Sequence, residues 1–286
     1  MNTQPSIRRR FIGAALRHYR GQLGLGIEET AEVLECDVSK ISRIETGQRG
    51  IRGSELETLL DTYGVYGAEQ RSLLRLAGAP GGGASTWWHP FANALPSIFR
   101  DYASLEGQAS RILLYGGAVV PELLQVRAYA KAMLSADLSV APGTEDIRLD
   151  AAHARRLAIV EDRSASLEVV LTEAALRQQV GDAEVMQGQL ERLVELATGS
   201  RYPWVSLRVV PFSVGAVAAA GFGTFSVLRF EALPALGLVH LSGTDGGICL
   251  EQPEDSFFYG AVFAQTQVRA LPHRESLTLL RRMAEQ

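Results

Sequence analysis

Between Arg10 and Ala77 apolar residues recur three and four positions apart in short bursts, each broken by a turn residue, and no two-residue strand alternation runs through them. The spacing predicts five short helices. The first covers Phe11 to about Leu23, with Ile12, Ala15, Leu16 and Tyr19 on one face, and Gly24 and Gly26 end it. A second runs from about Ile27 to Leu34. Glu35 and Cys36 make a turn, and Asp37 is placed to cap a third helix, Val38 to Thr46, which stops at Gly47. Ser54 with Glu57 reads as a capping box for a fourth helix, Glu55 to Tyr63, and the fifth spans about Ala68 to Ala77. Residues 1–78 are expected to form an all-α, five-helix domain.

The Gly- and Pro-rich stretch that follows cannot hold regular structure, and residues 79–86 are expected to be a linker. Beyond it, residues 87–286 mix both periods. Thr144 to Asp162 and Asp182 to Thr198 read as amphipathic helices, and helices are also expected from about Glu254 to Met283. Leu167 to Thr172, Val205 to Val210, Gly223 to Phe230 and Gly237 to Leu241 read as strands, short, rich in Val, Leu and Phe, and bounded by Gly, Pro or Ser. The second domain is therefore a larger α+β unit.

Composition narrows the class. Of 286 residues, 47% are hydrophobic and 21% charged, as in globular domains. The longest apolar run, Gly215 to Phe222, is too short to span a bilayer, and Arg17, His18 and Arg20 interrupt any leader-like segment near the start. A cytoplasmic protein without membrane contact is expected. Cys36 and Cys249 fall in different domains and read as reduced thiols. The net charge of -4 is unusual for a nucleic-acid binder, but residues 1–78 hold 11 basic and 10 acidic side chains, and the basic ones are segregated. Arg8, Arg9, Arg10, Arg17 and Arg20 share a stretch without acids, and Lys40, Arg43, Arg49 and Arg52 surround a single Glu45.

That charge pattern coincides with a helix-turn-helix spacing. Ala31, Leu34, Ile41 and Ile44 would bury the inner faces of helices two and three, leaving Ser39, Lys40, Ser42 and Arg43 outward at the start of the third. Arg43 can donate twice to guanine, Lys40 can reach guanine or phosphate, and the serines can bond bases or phosphates. Gln48, Arg49 and Arg52 follow where a loop could clamp the duplex backbone.

The run Ser39-Lys40-Ile41-Ser42-Arg43-Ile44-Glu45-Thr46-Gly47-Gln48-Arg49 resembles the third-helix signature of Xre-type, lambda-repressor-like regulators. The resemblance implies that Glu45 pairs with Arg17 as a structural ion pair. It also marks two departures: Gly26-Ile27 stands where the family has a polar cap and Gln, and Glu35 replaces its turn glycine. Past the linker, Trp87-Trp88, Tyr102, Leu105-Glu106, Val120-Pro121-Glu122-Leu123-Leu124-Gln125, Thr172 to Arg177 and Val210 to Ser213 resemble the C-terminal domain of WhiJ-like, antitoxin-like regulators. That resemblance implies a transcriptional regulator whose relatives are often encoded beside small acidic companion proteins.

The remaining chemistry is sparse. The five histidines lack metal-ligand spacing, and no metal or cofactor is expected. His240, Asp245 and Cys249 could meet in a hairpin, but Cys249 sits in an apolar run, so no enzyme is expected. Glu161 and Asp162, beside Arg163, read as surface charge. Trp87, Trp88, Phe91 and Tyr102 belong to the densest aromatic stretch, either core or a ligand or partner surface. The chain is thus expected to be a nucleoid-associated, sequence-specific regulator that binds double-stranded DNA as a homodimer, with a C-terminal domain for dimerisation and for sensing a small-molecule effector or companion protein. The alternatives are a C-terminal enzyme and a protein-interaction module with weak DNA binding.

Overall fold

The computed structural model describes residues 5–77, 87–138, 140, 143–162, 165–243 and 246–285. The expected linker, 79–86, lies outside them, as do Arg163 and Asp245. The N-terminal region is helical: α1 Ile7–Gln22, α2 Ile27–Val33, α3 Val38–Glu45, α4 Gly53–Thr62 and α5 Gly67–Ala77. Helix α1 starts four residues before the expected point because Ser6 caps it, its side chain accepting from the Arg9 N–H, and because Ile7 is buried. Helix α4 also starts early: the Arg52 N–H, not that of Ser54, finds a carboxylate acceptor, Glu55, at 3.4 Å.

The C-terminal region combines helices with a six-stranded mixed sheet in the order β3-β2-β1-β4-β5-β6. Strands β1 (Arg111–Gly116), β2 (Ser166–Thr172) and β3 (Val205–Val210) run parallel, whereas β4 (Phe225–Arg229), β5 (Gly237–Leu241) and β6 (Ile248–Leu250) continue antiparallel. Strand β1 was not expected. Ile112 to Tyr115 is a short, unbroken apolar run, the pattern of a strand buried on both faces, which periodicity alone cannot separate from helix.

Side chains alternate between the faces. Leu113, Tyr115, Phe225, Val227 and Val239 meet Val262 and Phe263 of helix α11 (Pro253–Arg269). Ile112, Leu114, Val169, Leu207 and Leu238 belong to the larger core on the other face. That core includes residues of α6 (Ser97–Glu106), α10 (Ala183–Thr198) and α12 (His273–Ala284). Helices α7 (Arg127–Ala136) and α8 (Glu145–Arg156) follow β1, and α8 continues into a π turn, Leu157–Glu161, closed by the Asp162 N–H donating to the Leu157 carbonyl at 2.9 Å. Helix α9 is short, Glu173–Arg177.

The two regions share one core. Phe11 of α1 packs on Phe230 with ring centroids 5.4 Å apart, and the Ile7 N–H donates to Asp101 of α6 at 2.9 Å. Among the described residues no helix is long and apolar enough to cross a membrane.

Candidate nucleic-acid interface

Helix α3 is built to present one face and bury the other. Asp37 caps it, accepting from the Ser39 N–H at 2.7 Å, and that bond together with the Ser39 hydroxyl holds the Asp37 carboxyl below its usual range. Ile41 and Ile44 are buried, and Gly47, at φ 73°, ends the helix. Two glycines bring α3 against α1. A Cβ on Gly13 would lie 2.5 Å from the Ile44 carbonyl oxygen, and one on Gly47 would lie 2.7 Å from the Arg10 side chain.

Behind α3, Glu45 is buried and held mainly by Arg20, with the expected partner, Arg17, as a second and more distant cation. Arg20 donates through Nε and Nη2 to the two carboxylate oxygens at 2.7 and 2.8 Å, and through Nη1 to the Leu25 carbonyl at 2.9 Å. The Glu45 hydrogen bond raises the Arg20 pKa further above its ordinary value. Arg17 is half exposed and reaches only 3.6 Å, an outer charge without the bidentate geometry. Arg20 sits one turn nearer the C-terminus of α1, where its fork meets both Glu45 and the Leu25 carbonyl just beyond the helix end.

The outward face carries Ser39, Ser42 and Arg43, all exposed. Arg43 lies along the helix, its Nε donating to the Ser39 carbonyl at 3.1 Å and its Nη2 to the Ser39 hydroxyl at 3.3 Å, so the guanidinium is oriented before any ligand arrives. Gln48, Arg49 and Arg52 are exposed in the segment that follows, where the Arg49 N–H donates to the Arg43 carbonyl at 2.9 Å. Lys40 differs from its neighbours. Its ammonium donates to Glu55 at 2.7 Å, which lowers the Glu55 pKa, so it is half buried between α3 and α4. Arg10 is likewise turned inward, 2.6 Å from Glu251 just after β6.

Both departures from the Xre-type pattern have a local structure. Glu35 adopts φ 47°, the left-handed conformation that a glycine would hold without strain. Gly26 caps α2 without a side chain, and its N–H is taken by Glu29 at 2.6 Å. Glu28, Glu29 and Glu32 stay exposed on α2.

The N-terminal region is a helix-turn-helix domain. A family model described as "Helix-turn-helix domain" matches residues 12–74, and one described as "Domain of unknown function (DUF5753)" matches residues 99–282, well over half of the chain. The chain belongs to the DUF5753 family. No curated protein and no solved structure matches this DUF5753 protein.

Elsewhere the structure redistributes the sequence candidates. Tyr102 is fully buried and cannot belong to a partner surface; its hydroxyl lies within 3.0 Å of Glu106 and of Ser226. Trp87, Trp88 and Phe91 are half buried, Trp87 edge-on to Phe99. Glu161 is not surface charge. It accepts from Arg192 and from the Tyr202 hydroxyl, each at 2.6 Å, and these bonds outweigh its burial and lower its pKa. His240 and Cys249 are cross-strand neighbours, but burial raises the thiol pKa and lowers that of the imidazole, opposite to what a thiolate nucleophile needs. Sequence reading gave no partner for Arg155, Glu106 or Arg10: Arg155 meets Glu106 across 49 residues and Glu122 across 33, and Arg10 meets Glu251, pairings that leave no periodic trace.

Proposed function

We propose that this DUF5753 protein is a sequence-specific transcriptional regulator in which α3 enters the major groove of double-stranded DNA. The observation that carries the reading is the exposed row Ser39, Ser42 and Arg43 on a helix whose back is fixed by Ile41, Ile44 and the Glu45–Arg20 pair. Arg43 reads guanine, the serines bond bases or phosphate, and Gln48, Arg49 and Arg52 grip the backbone. Lys40 contributes once DNA competes for it with Glu55. The protein works in the cytoplasm, on the nucleoid, and needs no catalytic step.

One head reads few base pairs, so the reading includes a homodimer that joins two heads through effective concentration. The C-terminal domain supplies this contact and senses a small-molecule effector or a small acidic companion protein. Phe257 and Phe258, exposed on α11 while Phe263 is buried, leave apolar surface for such a contact. Selecting bound fragments from genomic DNA, with native mass spectrometry on the same preparation, tests this: a near-palindrome with half-sites about one helical turn apart and a dimer mass are expected.

A second reading makes the chain an interaction module with weak DNA binding. Its support is the exposed acidic face of α2 and the engagement of Arg10, Arg20 and Lys40 by carboxylates within the protein. Failure to bind any fragment in a salt-dependent way would favour it.

A further inference from the structure

Where β1, β4 and β5 meet α6, α7 and α8 the C-terminal domain forms a half-open cavity of about 450 Å³, within the size range of small-molecule sites. Its apolar walls include Phe99, Leu114, Leu123, Met133 and Leu134. Its polar wall includes Glu122, Arg155, Ser226 and His240, and a connected network ties these to Tyr102 and Glu106 behind them. Arg155 of α8 donates through Nε and Nη2 to Glu106 at 2.8 and 2.7 Å, and through Nη1 to Glu122 at 2.9 Å. The Tyr102 hydroxyl donates to Glu106 and meets Ser226 Oγ, while its ring stacks on His240 at 4.2 Å between centroids. Burial lowers the His240 pKa, so the imidazole is neutral, and the Gly246 carbonyl, 2.8 Å from Nε2, fixes the proton there.

These groups are matched to one another. Arg148, on the same wall, is different: its Nε–H is buried and has no acceptor among the described residues. A buried donor left unmet is a standing cost that an acceptor removes. A further fixed negative charge is not the acceptor that fits, because Arg155 with its two carboxylates, Glu106 and Glu122, already carries a surplus negative charge, and the Asp137 carboxylate lines the same cavity.

We propose that this cavity binds a small, uncharged, largely apolar molecule whose single carbonyl-type oxygen accepts from Arg148, and that it is the effector site of the regulator. The effector role rests on the DNA-binding reading above. Two contacts join the cavity to α1. Helix α6 carries Phe99 on the cavity wall and Asp101 on the Ile7 N–H, and the Gly246 turn leads through β6 to Glu251, which meets Arg10. Arg10 in turn abuts Gly47, the end of α3.

The test titrates the full-length protein with prodan, a neutral naphthyl ketone dye, following its emission. Saturable, blue-shifted binding is expected at one dye per chain. Arg148→Met, which removes the donor, weakens it by about tenfold or more. Met133→Trp, which fills the cavity, abolishes it. Absence of saturable binding, equal affinity in both variants, or equally tight binding of anilinonaphthalene sulfonate, an anionic dye of similar size, overturns the site or its ligand class. With a selected DNA fragment, prodan shifts wild-type affinity by about fivefold or more; an unchanged affinity overturns the effector role. Loss of all DNA binding without dye overturns the regulatory reading in its own titration, and the dye arm still decides the site.

Discussion

Arg10 and Glu251 meet between the helix-turn-helix domain and the C-terminal sheet, with 2.6 Å from Nη2 to the carboxylate oxygen. Burial pushes the Glu251 carboxyl up to about 7, and the Arg10 charge only partly offsets it. Between the ordinary carboxylate range and pH 7 the folded protein therefore binds more protons than the unfolded chain. The stability associated with Glu251 is complete below about pH 4.3 and is lost as pH rises through about 7, by roughly 2 kcal/mol after allowing for solvent screening. Measured as Tm against pH, wild type should lose stability over this window relative to Glu251→Gln. Parallel curves would remove Glu251 as the titrating group.

The Glu45 site separates two arginines that the sequence presents as equivalent. Arg20→Ala leaves a buried carboxylate without its bidentate partner and should cost about 3 kcal/mol or more in urea unfolding. Arg17→Ala removes an exposed charge at 3.6 Å and should cost under about 1 kcal/mol. Equal losses would contradict the assignment of Arg20 as the main partner.

Glu35 sits at φ 47° in the turn between α2 and α3. Left-handed backbone strains a non-glycine residue by about 1–2 kcal/mol, and glycine's greater unfolded-state freedom returns part of that. Glu35→Gly should stabilise the protein by up to about 1 kcal/mol. A lowered Tm would show that the Glu35 side chain holds the turn.

What the sequence revealed follows from where the information is stored. The helix-turn-helix was legible because Gly24, Gly26, Asp37 and Gly47 punctuate short helices locally, and Ile41 and Ile44 mark the buried face by spacing alone. Strands β2 to β5 were legible for the same reason, whereas β1 lacks alternation and β6 has three residues. Pairings were not legible. Arg17 and Arg20 carry the same charge three residues apart, and only the packing of α1 on α3 decides which reaches Glu45. The Arg155–Glu106 pair and the cavity beside it depend on how α6, α8 and the sheet converge, which no local pattern encodes. Whether Tyr102 faced the core or a surface stayed open because an aromatic cluster does not say which of its members face inward; it is buried.

The central claim is that the exposed face of α3 reads sequence. Arg43→Ala, in full-length protein with unchanged Tm, should reduce the affinity ratio between a selected operator fragment and random DNA by about 1–3 kcal/mol, read by competition at fixed salt. An operator-to-random ratio equal to that of wild type would contradict it.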